Sequence, residues 1–345
     1  MRGCSAKTRT AARATRSTPM RRLGQVSLWL GLLLVTLPAA AARPGVVREY
    51  WIAAERVQWN YAPSGKNLID PAMGLGVWGQ TLTYAKYRYI GYTDGSYSTP
   101  LPQPPWIGIL GPELRAVVGD TLIVHLQNKS DRPVSMHPHG LGYDQDNSGG
   151  DPGAGAVVLP GKSFTYRWQV DQAAGPGPND PSSILWLYHS HVDHDQADIY
   201  AGLIGTIIVT RAGMERSADD PSPRDMEREF TTLFMIFDEE SGEEPGLKHA
   251  LNGRIFGNLE GYEARLHERV RWHLAALGNE VDLHTAHWHG QTVLEHGRRT
   301  DVVELLPASM VSVDMRPRSP GTWLFHCHVA DHMAAGMMTH WRVKE

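Results

Sequence analysis

The stretch Trp323-Leu324-Phe325-His326-Cys327-His328-Val329 decides how this chain is read. A near-copy lies earlier, at Trp186-Leu187-Tyr188-His189-Ser190-His191-Val192, identical at five of the seven positions. Alternate residues of a strand face the same side, so each copy aims two imidazoles at one place. The residue between them points the other way. In the later copy that residue is Cys327, able to offer a thiolate; in the earlier one it is Ser190. The pattern predicts a duplicated β fold whose two copies are unequal as metal binders.

The duplication extends outward. Each copy places a His-X-His-Gly run before its Trp motif, at His137–Gly140 and at His287–Gly290. Alternating apolar residues between turn signals predict short strands, among them Arg115–Val118, Thr121–Gln127, Ser163–Gln169, Leu203–Val209, Val311–Met315 and Trp323–His326. This is an all-β chain of sandwiches. The charged, proline-containing stretch around Ala212–Arg228 reads as a linker. The expected domains are 47–212 and 229–345, joined by 213–228.

Residues 1–42 carry seven basic residues and no acidic one, then an apolar run from Val26 to Leu37 and a string of alanines. That is the layout of a secretory signal, and it predicts export to the periplasm or the extracellular space. No stable membrane insertion is expected after cleavage. Beyond residue 42, 26 basic residues face 37 acidic ones, a net charge of −11. Such a balance argues against nucleic acid as a partner. Cys327 is then the sole cysteine, so no internal disulfide forms. A lone exported thiol is an oxidation liability unless it is occupied.

Ten of the 17 histidines fall into four clusters: His137/His139, His189/His191, His284/His287/His289 and His326/His328/His332. Four His-X-His pairs supply eight convergent imidazoles. Left beside them are Cys327, His284, His332 and Met337. Two imidazoles, a thiolate and a thioether are the ligand set of a blue-copper centre. A structural zinc site rarely takes more than four ligands and favours several cysteines. Copper is therefore the expected cofactor.

These clusters resemble the copper signature of the multicopper oxidases. The surrounding residues are similar to ceruloplasmin- and hephaestin-like ferroxidases, at Gly111–Glu113, Met136–Gly140, Gly175–Ser183, Tyr188–Asp193 and Thr322–Met337. The likeness covers most of residues 48–343. With room for two domains, the chain resembles the two-domain oxidases that keep type 1 copper in the second domain only. The resemblance implies two cupredoxin-like Greek-key β-sandwiches and four copper ions per functional unit. It assigns type 1 copper to His284, Cys327, His332 and Met337, and type 2 copper to His137 and His287. The type 3 pair falls to His139, His189, His191, His289, His326 and His328. It implies a homotrimer with clusters between subunits, and dioxygen as electron acceptor.

The electron donor stays open at this level. The resembled ferroxidases place an iron site beside type 1 copper, and the matching positions here are Glu244, His249 and Asp331. A laccase-like oxidation of phenols, or oxidation of Cu(I) or Mn(II), uses similar parts. A copper nitrite reductase would set its cysteine in domain one, against Ser190. A copper-binding or electron-carrier protein would leave eight imidazoles without a role. Asp144, Asp146 and Asp193, near the histidine pairs, are candidate proton relays.

Overall fold

The computed structural model describes residues 45–192, 195–240, 242–279 and 281–345. The expected signal segment and Asp193 lie outside the described residues. Eight strands form in the first part: β1 (Val47–Asn60), β2 (Thr83–Tyr92), β3 (Leu114–Val117), β4 (Thr121–Asn128), β5 (His137–Pro138), β6 (Ser163–Gln169), β7 (Ser183–His189) and β8 (Ile204–Thr210). The second part supplies β9 (Arg228–Asp238), β10 (Leu247–Leu251), β11 (Glu263–Arg265), β12 (Val270–Ala276), β13 (His284–Trp288), β14 (Val293–Glu295), β15 (Arg298–Thr300), β16 (Val302–Leu305), β17 (Met310–Met315), β18 (Gly321–Cys327) and β19 (Met338–Lys344). Among the described residues two short α-helices interrupt them, α1 (Asp195–Ala201) and α2 (Ala330–Ala334).

The strands pair into four sheets, two per part. The first part holds β2-β1-β4-β6 and β3-β8-β7-β5; the second holds β10-β9-β12-β17-β14-β15 and β11-β19-β18-β13-β16. Each pair of sheets closes on its own apolar core. Ile52, Leu122, Val124 and Trp168 meet Ala116, Tyr188, Ile207 and Val209 in the first. Phe230, Phe234, Trp272 and Val313 meet Trp288, Phe325, Cys327 and Trp341 in the second. This is the cupredoxin-like, all-β architecture that the motifs imply.

A third core joins the two sandwiches, because four strands are apolar on both faces. In β9, Phe230, Phe234 and Ile236 point into their own sandwich. The alternate residues Leu233, Met235 and Phe237 point into the shared core. In β7, Leu185 and Leu187 enter the shared core while Tyr188 turns the other way. Strands β8 and β12 are buried throughout, as strands covered on both faces must be. The described residues accordingly form one compact unit. Among the described residues no helix is long and apolar enough to cross a membrane.

Candidate metal centres

The histidine motifs lie at equivalent places in the two sandwiches. His137 pairs with His189 across β5 and β7, and His287 pairs with His326 across β13 and β18. The His139 amide donates to Leu187 O at 2.8 Å, and the His289 amide to Leu324 O at 2.9 Å. The glycine of each His-X-His-Gly run has a simple cause. Gly140 and Gly290 both have φ +70°, and a Cβ there would press on the ring of Trp186 or Trp323. The left-handed conformation and the close approach both require glycine.

The chain gathers the eight imidazoles as two fours. In the first, His137 lies 5.2–5.7 Å, ring centre to ring centre, from His139, His189 and His191. His139 and His189 bring their Nε2 atoms within 3.0 Å. In the second, His287 lies 5.3 Å from each of His289, His326 and His328. The His289 and His326 Nε2 atoms approach to 3.1 Å.

Backbone carbonyls set the ring orientations in the same way in both. His137 Nδ1 donates to Ser148 O and His287 Nδ1 to Asp301 O. His189 Nδ1 donates to Ser190 O and His326 Nδ1 to Cys327 O. A proton held on Nδ1 leaves Nε2 as the bare ligating atom. Burial, with the neighbouring imidazoles adding to it, pushes His189 and His326 down to about 4. Both rings are therefore neutral near pH 7, the state a metal needs.

The residues left over form a third group, wholly buried. His284 Nδ1 and His332 Nδ1 stand 3.2 Å apart, and Cys327 Sγ is 3.8 and 3.7 Å from them. Ligand bonds of about 2.0–2.3 Å span a triangle of that size around one ion. The Cys327 thiol is pushed up by burial, so a cation must replace its proton before it serves as thiolate. Burial first, then the His284 and His249 rings, push His332 down to about 4. Met337 is buried, and its carbonyl accepts from the Cys327 amide at 3.0 Å. The donor chemistry of all three groups fits copper: imidazoles for the two fours, imidazole and soft sulfur for the triad.

Other expected residues fall as follows. His249 Nε2 donates to Glu244 Oε1 at 2.9 Å, and its ring centre lies 5.1 Å from that of His332. Among the described residues its buried Nδ1 has no hydrogen-bond partner. Asp331 is close enough to act by charge on both His249 and His332. Asp144 caps the turn Gln145–Asn147, and Asp146 accepts from the Ala154 amide. Both are exposed, in the loop whose Ser148 carbonyl orients His137. The sequence reading missed Asp282. It is buried, takes a bond from His284 Nε2 at 3.2 Å and anchors the Ile236 and Asn279 amides. It also missed the helical setting of His332 on α2.

Comparison with known proteins agrees with this geometry. Residues 108–213 and 224–345 each match a family described as multicopper oxidase. This chain belongs to the multicopper oxidase family, whose members are copper-binding oxidoreductases. Hephaestin of Rattus norvegicus is 35% identical over 92% of this chain and 31% of its own length. Ferroxidase HEPHL1 of Mus musculus is 37% identical over 86% of this chain, and ceruloplasmin of Homo sapiens 35% over 86%, with 29% and 30% of their lengths covered. The chain thus spans about three tenths of these relatives. Among solved structures, one multicopper oxidase superposes with a TM-score of 0.63 at 22% identity, covering 88% of this chain and 93% of its own. A copper nitrite reductase from Nitrosomonas europaea superposes at 0.61 and 17%, covering 87% and 94%. At those identities the likeness is one of fold.

Proposed function

We propose that this chain is a ferroxidase that takes electrons singly from Fe(II) and passes them to dioxygen. The observation that carries this reading is the contact between His249 and His332. It joins a carboxylate–imidazole pair, Glu244 and His249, to the buried triad. Glu244, His249 and Asp331 would hold the substrate iron. Oxygen ligands favour the ferric state and so favour electron loss. Bound copper would supply a one-electron acceptor at His284, Cys327, His332 and Met337, and the reduction of dioxygen to water at the eight paired histidines. Cys327 is flanked in the chain by His326 and His328, so a continuous covalent path runs from the triad to the second four. His137 and His287 take the type 2 role. His139, His189, His191, His289, His326 and His328 take the type 3 role. Asp144, Asp146 and Asp193 remain the proposed proton relay.

The two fours lie on different sandwiches, which supports a head-to-tail homotrimer in which each cluster takes one four from each of two neighbours. The same division supports domains 47–212 and 229–345 around a linker at 213–228. Export to the periplasm or extracellular space completes the reading. A phenol-oxidising alternative needs an open approach to the triad, and His332 is only 4% exposed.

Steady-state oxygen uptake by the copper-loaded protein on Fe(II), Mn(II), Cu(I) and a phenol tests the reading. Glu244→Ala and Asp331→Ala should each lower Fe(II) oxidation at least about tenfold, with the phenol rate kept, as loss of a positioned ligand does. Equal loss on every substrate would place the damage at the triad and end the iron-site reading.

A further inference from the structure

The first sandwich lacks more than the cysteine. Counting back from the first ligand of each His-X-His pair, Val134 stands where the second sandwich has His284. The Ser190 amide donates to Leu203 O at 3.1 Å, as the Cys327 amide donates to Met337 O, so Leu203 stands for Met337. Helix α1 follows β7 as α2 follows β18, and it brings a buried aspartate, Asp198, to Ser190.

What fills this vacated position is a chain of hydrogen bonds. Ser190 Oγ donates to Asp198 Oδ2 at 2.5 Å and accepts from the Ser135 amide at 3.1 Å. Asp198 Oδ1 pairs with Arg132 Nη2 at 2.6 Å. Ser135 Oγ then accepts from the His191 amide at 2.9 Å, and Ser135 O accepts from the Tyr89 hydroxyl. Asp198 and Ser190 are both fully buried. A buried carboxylate without a cation is costly, and Arg132 supplies one here.

We propose that Arg132, Ser190 and Asp198 form a metal-free clamp that positions His189 and His191. In the second sandwich one triad ties β13, β18 and α2 together beside His326 and His328. Here hydrogen bonds tie the segment before β5, the end of β7 and α1 together beside His189 and His191. The three are positioning residues: they hold the ligand strand without touching copper. Because no ion is needed, this four is set before copper arrives. The inference rests on the reading of His189 and His191 as copper ligands.

Amide exchange in the copper-free protein tests it directly, together with copper retention against a chelator in the loaded protein. Ser190→Ala and the near-isosteric Asp198→Asn should speed exchange at the Ser135 and His191 amides. They should also weaken retention of the histidine-cluster copper about 10–100-fold. The blue absorption of the triad, in the other sandwich, should persist and report that the chain has folded. Unchanged exchange and unchanged retention in both variants would overturn the clamp. So would equal loss of the blue band, since a clamp local to β7 leaves the triad alone. His189→Ala separates the two claims: cluster signals unchanged by it would instead sink the ligand reading, and the clamp with it.

Discussion

At the scale of single residues, the triad depends on a group that is not itself a ligand. Asp282 holds the Nε2 proton of His284, which turns Nδ1 toward Cys327 and His332. A carboxylate behind a ligating imidazole fixes its tautomer and raises its basicity. Asp282→Asn keeps the shape and removes the charge. We expect copper affinity at the triad to fall about 10–100-fold. The check is titration of the blue band against a competing chelator; an unchanged midpoint would assign Asp282 to anchoring the Ile236 and Asn279 amides alone. The gathering of the histidines was legible in the sequence, because histidines two apart on a strand announce a shared face. Asp282 and Asp198 were not. Asp282 sits two residues before its partner His284 and Asp198 eight after Ser190, but no spacing in the chain distinguishes them from turn-forming or solvated aspartates.

At the scale of elements, strand periodicity carried most of the fold. The expected strand Ser163–Gln169 forms with those bounds, and Val311–Met315 forms with Met310 added. Helices α1 and α2 escaped notice because seven and five residues are too few to show a 3.6-residue stripe. Periodicity also says nothing of what joins one sandwich to the other. There a polar seam borders the shared core. Glu229 on β9 pairs with Arg115 on β3 at 2.5 Å, and accepts from His273 on β12 and Ser183 on β7. Burial alone would raise the Glu229 carboxyl, but Arg115, His273 and Ser183 overcome it and hold it well below the usual range. A depressed carboxyl stabilises the fold above its unfolded value, about pH 4.3, and loses that contribution as pH falls toward the folded value. Glu229→Gln should therefore cost about 3–5 kcal/mol near neutrality, the range for breaking a buried pair. The gap to the parent should close in acid. Urea midpoints measured across that range decide it; a gap that stays constant with pH would mean Glu229 acts by shape and not by charge.

At the scale of the whole molecule, the division of the imidazoles makes assembly testable without a structure of the assembly. If each cluster takes the first four from one chain and the second four from its neighbour, two crippled chains can repair one another. A chain with His139→Ala and His189→Ala keeps its second four, and one with His289→Ala and His326→Ala keeps its first. Each alone closes no complete cluster. In a mixed head-to-tail ring, a boundary between the intact first four of one chain and the intact second four of the other is complete. Random mixing of equal amounts makes about one boundary in four complete. Co-refolded samples should then regain about a quarter of the parent's oxygen uptake on Fe(II), with either variant alone near background. A cluster built within one chain predicts no recovery at any ratio. The triad gives an internal standard, because both variants keep His284, Cys327 and His332. Blue absorption equal to the parent's in each would show that oxygen uptake was lost at the paired histidines, while electron entry at Cys327 was left whole.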